Sequence, residues 1–195
     1  VEYFGGGVAA NVVPPVCKLI VNGPLKVTPE EGITVTEENG KTIVEATGFS
    51  AHGSTPELGV NAVVKLLNAV KENDFGGDFQ QLVNFILEEI GNETNGKSLD
   101  ILYQDEETGE TTVNLGVVKY DGEEMSFTLD IRYPKNGDAE VIDDKVINRI
   151  NSYNFDVLKK TNNKLLYVPK DSELVSKLVK VYEAQTGDKR EPIAI

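Results

Sequence analysis

From Met125 to Arg132 apolar and polar residues alternate without a break: Met125, Phe127, Leu129 and Ile131 on one side, Ser126, Thr128, Asp130 and Arg132 on the other. A period of two predicts a strand with one buried face, and it puts Arg132 on the polar face of what reads as a central strand. Residues 111–118 and the turn Asp121-Gly122 complete a hairpin with it. A second hairpin is predicted where 33–35 and 42–46 flank Asn39-Gly40, the pair favoured at two-residue turns. Residues 16–21 are β-rich, and further strands are predicted near 155–159 and 165–168.

Elsewhere the period lengthens to that of a helix. Val60, Val63, Leu66, Leu67 and Val70 form a stripe on a helix predicted over 56–70, with Ser54 or Thr55 as cap and Pro56 in the first turn. After the Gly76-Gly77 break, Phe79, Leu82, Val83, Ile86 and Ile90 mark a second helix. Residues 91–109 are polar and read as a surface loop. A third helix is predicted over 139–150 on Ile142, Val146, Ile147 and Ile150. The last starts at Asp171 or Ser172, is expected to bury Leu174, Leu178 and Tyr182, and ends at Gly187. The order of elements predicts an α+β fold, an antiparallel sheet with helices packed on one face.

Composition narrows the function classes. The 195 residues carry 19 Lys and Arg against 32 Asp and Glu, a formal charge of −13. A nucleic-acid or anionic-membrane binder needs a basic surface, so neither partner is expected. No apolar run approaches the roughly 20 residues that span a bilayer, and the expectation is a soluble, cytoplasmic protein. The chain opens on Val1-Glu2-Tyr3-Phe4-Gly5, which reads as a strand tail, and closes on Glu191-Pro192-Ile193-Ala194-Ile195, which reads as the start of another. Two apolar, strand-like ends predict a piece of a larger protein, with 1–10 and 188–195 as its connections.

Few residues can carry chemistry. Gly5-Gly6-Gly7-Val8-Ala9-Ala10 has dinucleotide-loop spacing, but Pro14 and Pro15 forbid the helix such a loop must open. The five Glu-Glu pairs, Glu88-Glu89 among them, read as solvated faces in so acidic a chain. Cys17 sits among apolar residues and reads as a buried thiol. A single histidine limits any zinc site to carboxylates for most of its ligands. That histidine, His52, lies between a strand and a predicted helix N-terminus, beside Gly53, where the dipole favours an anion or a developing oxyanion. Arg132 suits a two-pronged grip on a carboxylate; a simple pairing with an acidic neighbour is equally open.

Three segments then appear in a telling order: Gly6-Gly7-x-x-x-Asn11-x-x-Pro14, Gly48-x-Ser50-Ala51-His52-Gly53-x-x-Pro56 and Asp130-Ile131-Arg132-Tyr133-Pro134. Tyr182-Glu183-x-x-Thr186-Gly187 and Glu191-Pro192 follow them. Together they resemble the lid domain of the zinc aminoacylase, acetylornithine deacetylase and dipeptidase superfamily. The long insertion between the His52 and Arg132 motifs points to the bacterial Xaa-His dipeptidases of the PepV type, relatives of the carnosinases.

The resemblance implies a ferredoxin-like lid, of one lobe or two, inserted into a catalytic domain that holds two zinc ions through His, Asp and Glu. It implies that His52 polarises the scissile carbonyl, that Arg132 holds the substrate's C-terminal carboxylate, and that Asn11 helps bind the same end. It also implies a dipeptide substrate, the chain's own catalytic domain as partner, and a monomer. The family's metal-binding segments are absent from the sequence and the Asn11–His52 stretch is shorter than in that branch. This chain by itself is therefore expected to bind no catalytic metal and to hydrolyse nothing. Two other readings stay open: a stand-alone interaction module that kept the lid's fold, or the lid of a related deacylase or aminopeptidase.

Overall fold

The computed structural model describes residues 1–163 and 165–192. Eight strands and four α-helices appear in it: β1 (Tyr3–Gly6), β2 (Val16–Asn22), β3 (Ile33–Glu38), β4 (Lys41–Thr47), α1 (Ala62–Val70), α2 (Gly77–Phe85), β5 (Gln104–Asp105), β6 (Gly109–Glu110), β7 (Thr112–Tyr120), β8 (Met125–Arg132), α3 (Ala139–Ser152) and α4 (Glu173–Thr186). Six strands form one antiparallel sheet in the order β3-β4-β2-β1-β7-β8, and β5 pairs with β6 in a small second sheet. The α+β architecture is the one the patterning predicts.

Both hairpins form as read. At the β3–β4 turn Asn39 and Gly40 take φ of 51° and 75°, the left-handed values a two-residue turn with the strand's own twist requires. One face of the sheet carries the core. Phe4, Leu19, Val44, Leu115 and Val118 meet Val63, Leu66 and Leu67 of α1, Phe79 and Leu82 of α2, and Ile142 of α3. β1 runs between β2 and β7, and its Gly6 lets α1 ride close: a Cβ there would lie 2.9 Å from Val63 Cγ2.

Several expectations fail for identifiable reasons. The helix over 56–70 is two pieces, a 3-10 turn at Pro56–Leu58 and α1, which begins only after Asn61. Between them Val60 exchanges backbone hydrogen bonds of 2.8 and 2.9 Å with Phe49, which pulls the chain extended. Asn61 then caps α1 by accepting from the Val63 N–H at 3.0 Å, so neither Ser54 nor Thr55 is the cap. β8 is an edge strand rather than a central one.

The stretch 91–109 is no mere surface loop, since Leu99 and Ile101 are buried in the core. The fully buried Thr111 holds it, donating to Ile101 O and accepting from the Tyr103 N–H. Residues 155–159 and 165–168 find no strand partner and stay irregular. Phe155 instead enters an aromatic cluster with Phe85 and Phe127.

The Glu88-Glu89 reading is half wrong. α2 widens into a π turn over Ile86–Ile90, which turns Glu89 inward. Arg149 Nη1 donates to both oxygens of Glu89 at 2.9 and 2.8 Å, and the Tyr153 hydroxyl is shared between Glu88 and Glu89 at 2.7 and 2.8 Å. Burial first, then the two carboxylates, push the Tyr153 phenol up.

α4 has the predicted ends, with Ser172 accepting from the Val175 N–H and Gly187 at φ 73°. Its stripe is not buried: Leu174 and Leu178 are each 60% exposed and Tyr182 is exposed as well. Of the expected closing strand, Glu191 and Pro192 are irregular and 193–195 lie outside the described residues. Among the described residues, no helix is long and apolar enough to cross a membrane.

Candidate active-site face

The polar face of the sheet, opposite the core, gathers the three residues singled out from sequence. After β1 the chain turns at Gly7, φ 83°, and lays residues 8–12 over β7. Two close approaches make this possible. A Cβ on Gly7 would come within 1.9 Å of Gly116 O, and a Cβ on Gly116 within 2.2 Å of Ala10 O. β7 is also bulged between Leu115 and Val117, so the strand bends at the crossing. The buried Asn114 fastens the loop, its Nδ2 donating to Ala10 O at 2.6 Å.

The His52 loop runs antiparallel to this one. Val12 bridges to His52, the Val13 N–H donates to Ala51 O at 2.9 Å, and the Gly53 N–H donates to Asn11 O at 2.8 Å. Gly53 O in turn accepts from Thr112 Oγ1 at 3.2 Å. Thr112 sits directly across from Arg132 in the β7–β8 register. Asn11, His52 and Arg132 are thus tied to one another through Gly53 and Thr112, although 121 residues of sequence separate the first from the last.

His52 is exposed, and its Nδ1 is occupied: Ser54 Oγ lies at 2.7 Å and the Ser54 N–H donates to it at 3.3 Å. A backbone N–H can only donate, so Nδ1 is the acceptor and the neutral ring carries its proton on Nε2. That leaves the Nε2–H without a partner among the described residues. The expected help of a helix dipole is missing, because α1 starts ten residues further on and only the single turn Pro56–Leu58 follows His52. The N–H available here is the ring's own.

Of the two open readings of Arg132, the pairing with an acidic neighbour is formed. Its Nε donates to Asp130 Oδ2 at 3.2 Å, while among the described residues Nη1 and Nη2 have no hydrogen-bond partner. The paired terminal nitrogens are the two prongs a carboxylate needs. The side chain of Asn11 is likewise exposed. Sequence reasoning placed Asp130 on the polar face without a role and passed over Thr112, Asn114 and Gly116. Two signals were available: Asp130 shares the polar face with Arg132 by period, and a glycine inside a strand marks a bulge or a close backbone approach.

The other sequence candidates carry no competing chemistry among the described residues. β1 leads into a turn and not a helix, so the glycine run is no phosphate loop. Burial pushes the Cys17 thiol far up, which leaves it un-ionised at neutral pH. Among the described residues no three His, Cys, Asp or Glu side chains are grouped to hold a metal ion, so these residues offer no ligand set for zinc.

No protein-family model matches the chain. Among curated proteins, it is 30% identical over 205 aligned residues to "Putative dipeptidase YtjP" of Bacillus subtilis, covering 98% of this chain and 43% of that protein. It is 32% identical over 149 residues to "Putative dipeptidase SAUSA300_1697" of Staphylococcus aureus, covering 76% of this chain and 32% of that protein. "Putative dipeptidase SAR1836" of another Staphylococcus aureus strain matches to the same extent. The chain spans less than half the length of the curated relatives it matches. Over nearly its whole length, it is related to a segment of proteins that carry the name dipeptidase.

Proposed function

We propose that this chain is the substrate-closing lid of a metallo-dipeptidase, most similar in its motifs to those that cleave Xaa-His dipeptides. In this reading Asn11, His52 and Arg132 grip the substrate from the side opposite the metal-bearing domain. The observation that carries it is the shared frame of the three residues, built by Gly53 and Thr112 across two loops and two strands. The names of the relatives support the peptidase class. The uncovered apolar stripe of α4 supports a role against another body of protein. Zinc, by this proposal, would be held outside the described residues.

The chemistry of the chain's own residues is binding and polarisation. Nε2–H of His52 donates to the carbonyl oxygen of the scissile bond, and the bond strengthens as that oxygen gains charge. The Nη pair of Arg132 takes the C-terminal carboxylate in two parallel hydrogen bonds, with Asn11 assisting at the same end. Closure over the substrate removes water and strengthens both contacts. The proposal further holds that the protein is cytoplasmic and monomeric.

The test uses the intact protein that contains this segment. Arg132→Ala should raise KM for the dipeptide Ala-His by roughly a hundredfold, about the 2.7 kcal/mol of a lost charged hydrogen-bond pair, and leave KM for its C-terminal amide nearly unchanged. Equal losses on acid and amide would remove the carboxylate-grip role. The stand-alone interaction module is the reading that survives if the intact protein turns over no dipeptide at all.

A further inference from the structure

A guanidinium on a flexible side chain at an edge strand grips poorly unless something orients it. Asp130 occupies the place from which that can be done. It lies two residues before Arg132 on the same face of β8, and its Oδ2 takes the side-on Nε donor while leaving both Nη nitrogens without a partner among the described residues. Its carboxylate is also seated against the other half of the site. A Cβ on Gly53 would lie 2.6 Å from Asp130 Oδ2, and no other residue type is small enough to let the carboxylate stand there. Gly53 is the residue whose N–H holds Asn11 and whose neighbour is His52. Across the strands Asp130 pairs with the buried Asn114, which fastens the Asn11 loop through Ala10 O.

We infer that Asp130 is a positioning residue: wedged between Gly53 and Arg132, it fixes the guanidinium fork at a set distance from the His52 donor. The site thereby reads the separation between a scissile carbonyl and a terminal carboxylate, which selects substrates with a single residue after the cleaved bond. Asp130 does not touch the reacting atoms; it acts through Arg132. The inference rests on the reading of Arg132 as the carboxylate grip.

Steady-state kinetics of the intact protein with Ala-His and its C-terminal amide test it, with Arg132→Ala as reference. Asp130→Ala should raise KM for the acid about tenfold, with KM for the amide within about twofold; Asp130→Asn, which keeps an acceptor, should fall between. Gly53→Ala should push the carboxylate aside and produce the same loss of acid-over-amide preference. Combined with Asp130→Ala it should add less than its own full effect, the remainder coming from the Asn11 backbone that the new Cβ also approaches at 3.1 and 3.2 Å. Equal KM rises on acid and amide, or additive losses of preference in the double variant, would overturn the positioning role while leaving Arg132 as the grip. An Arg132→Ala variant that keeps the preference would bring down the grip and this inference together.

A second readout is independent of turnover and uses the 195-residue chain. The Arg132 Nε–Hε resonance should lie downfield and exchange slowly, and Asp130→Ala should abolish both features. An unchanged resonance would refute the contact itself.

Discussion

Replacing Arg149 by Ala probes the least expected interaction in the fold. Glu89 is the buried member of the pair, its side chain 7% accessible, while Arg149 is 39% accessible. Removing one partner of a fully buried ion pair costs about 3–5 kcal/mol, because the other charge is left without compensation. Arg149 is partly wet, and its truncation lets water reach the carboxylate, so the expected cost is lower, about 2–3 kcal/mol. Tyr153 still donates to Glu89 and keeps the loss from being larger. In a chain of this size each kcal/mol moves Tm by about 2–4 °C, which gives a drop of roughly 4–12 °C. Urea and thermal unfolding of the 195-residue chain, followed by circular dichroism, measure it. Adding Glu89→Gln should recover part of the loss, since a neutral amide is cheaper to leave buried. A cost below about 1 kcal/mol, the range of surface pairs, or no recovery in the double variant, would refute the buried-charge argument.

Three more outcomes are expected. Gly116→Ala forces a Cβ against the Ala10 backbone, so it should cost about 1–3 kcal/mol and shift the amide resonances of Ala10, Asn11 and Gly53, while shifts confined to β7 would contradict the crossing. Asn61→Ala removes both the cap of α1 and the 2.9 Å bond from Nδ2 to Leu115 O; a loss of about 1–2 kcal/mol in urea unfolding is expected, and a neutral result would show that α1 needs neither. The Tyr153 phenol is raised by burial and by Glu88 and Glu89, so the folded state keeps a proton that the unfolded state loses near pH ~10. Its contribution is complete below that pH and fades as pH rises further. Urea midpoints measured from pH 8 to 11 should fall more steeply for the native chain than for Tyr153→Phe; parallel curves would contradict the assignment.

Most of the local structure was legible because it is set by neighbours in sequence. The alternation through β8, the Asn39-Gly40 turn and the Ser172 and Gly187 ends of α4 each follow from side-chain period or backbone preference. The failures share a different cause. Asn61 displaced Ser54 and Thr55 as cap because Val60 pairs with Phe49, a tertiary contact invisible to propensity. Glu89 turned inward because a π turn rotated it toward Arg149, 60 residues away. Leu174 and Leu178 have the spacing of buried residues, yet each stays 60% exposed.

For the site, His52 and Arg132 stood out by residue type and placement, whereas the role of Asn11 came from the resemblance alone. What sequence did not disclose was the frame: Gly53 and Thr112 join loops and strands through hydrogen bonds to residues far away in sequence. A glycine or threonine carries no mark of such a partner.

The central claim is that His52 donates Nε2–H to the oxygen that becomes charged during cleavage. The most direct test is kcat and KM for Ala-His with His52→Ala in the full-length dipeptidase that the proposed function calls for. A fall in kcat of roughly 10²–10³, with little change in KM, is the result the account predicts, since an oxyanion donor acts mainly in the transition state. An unchanged kcat with a raised KM would make His52 a simple binding contact and contradict the account.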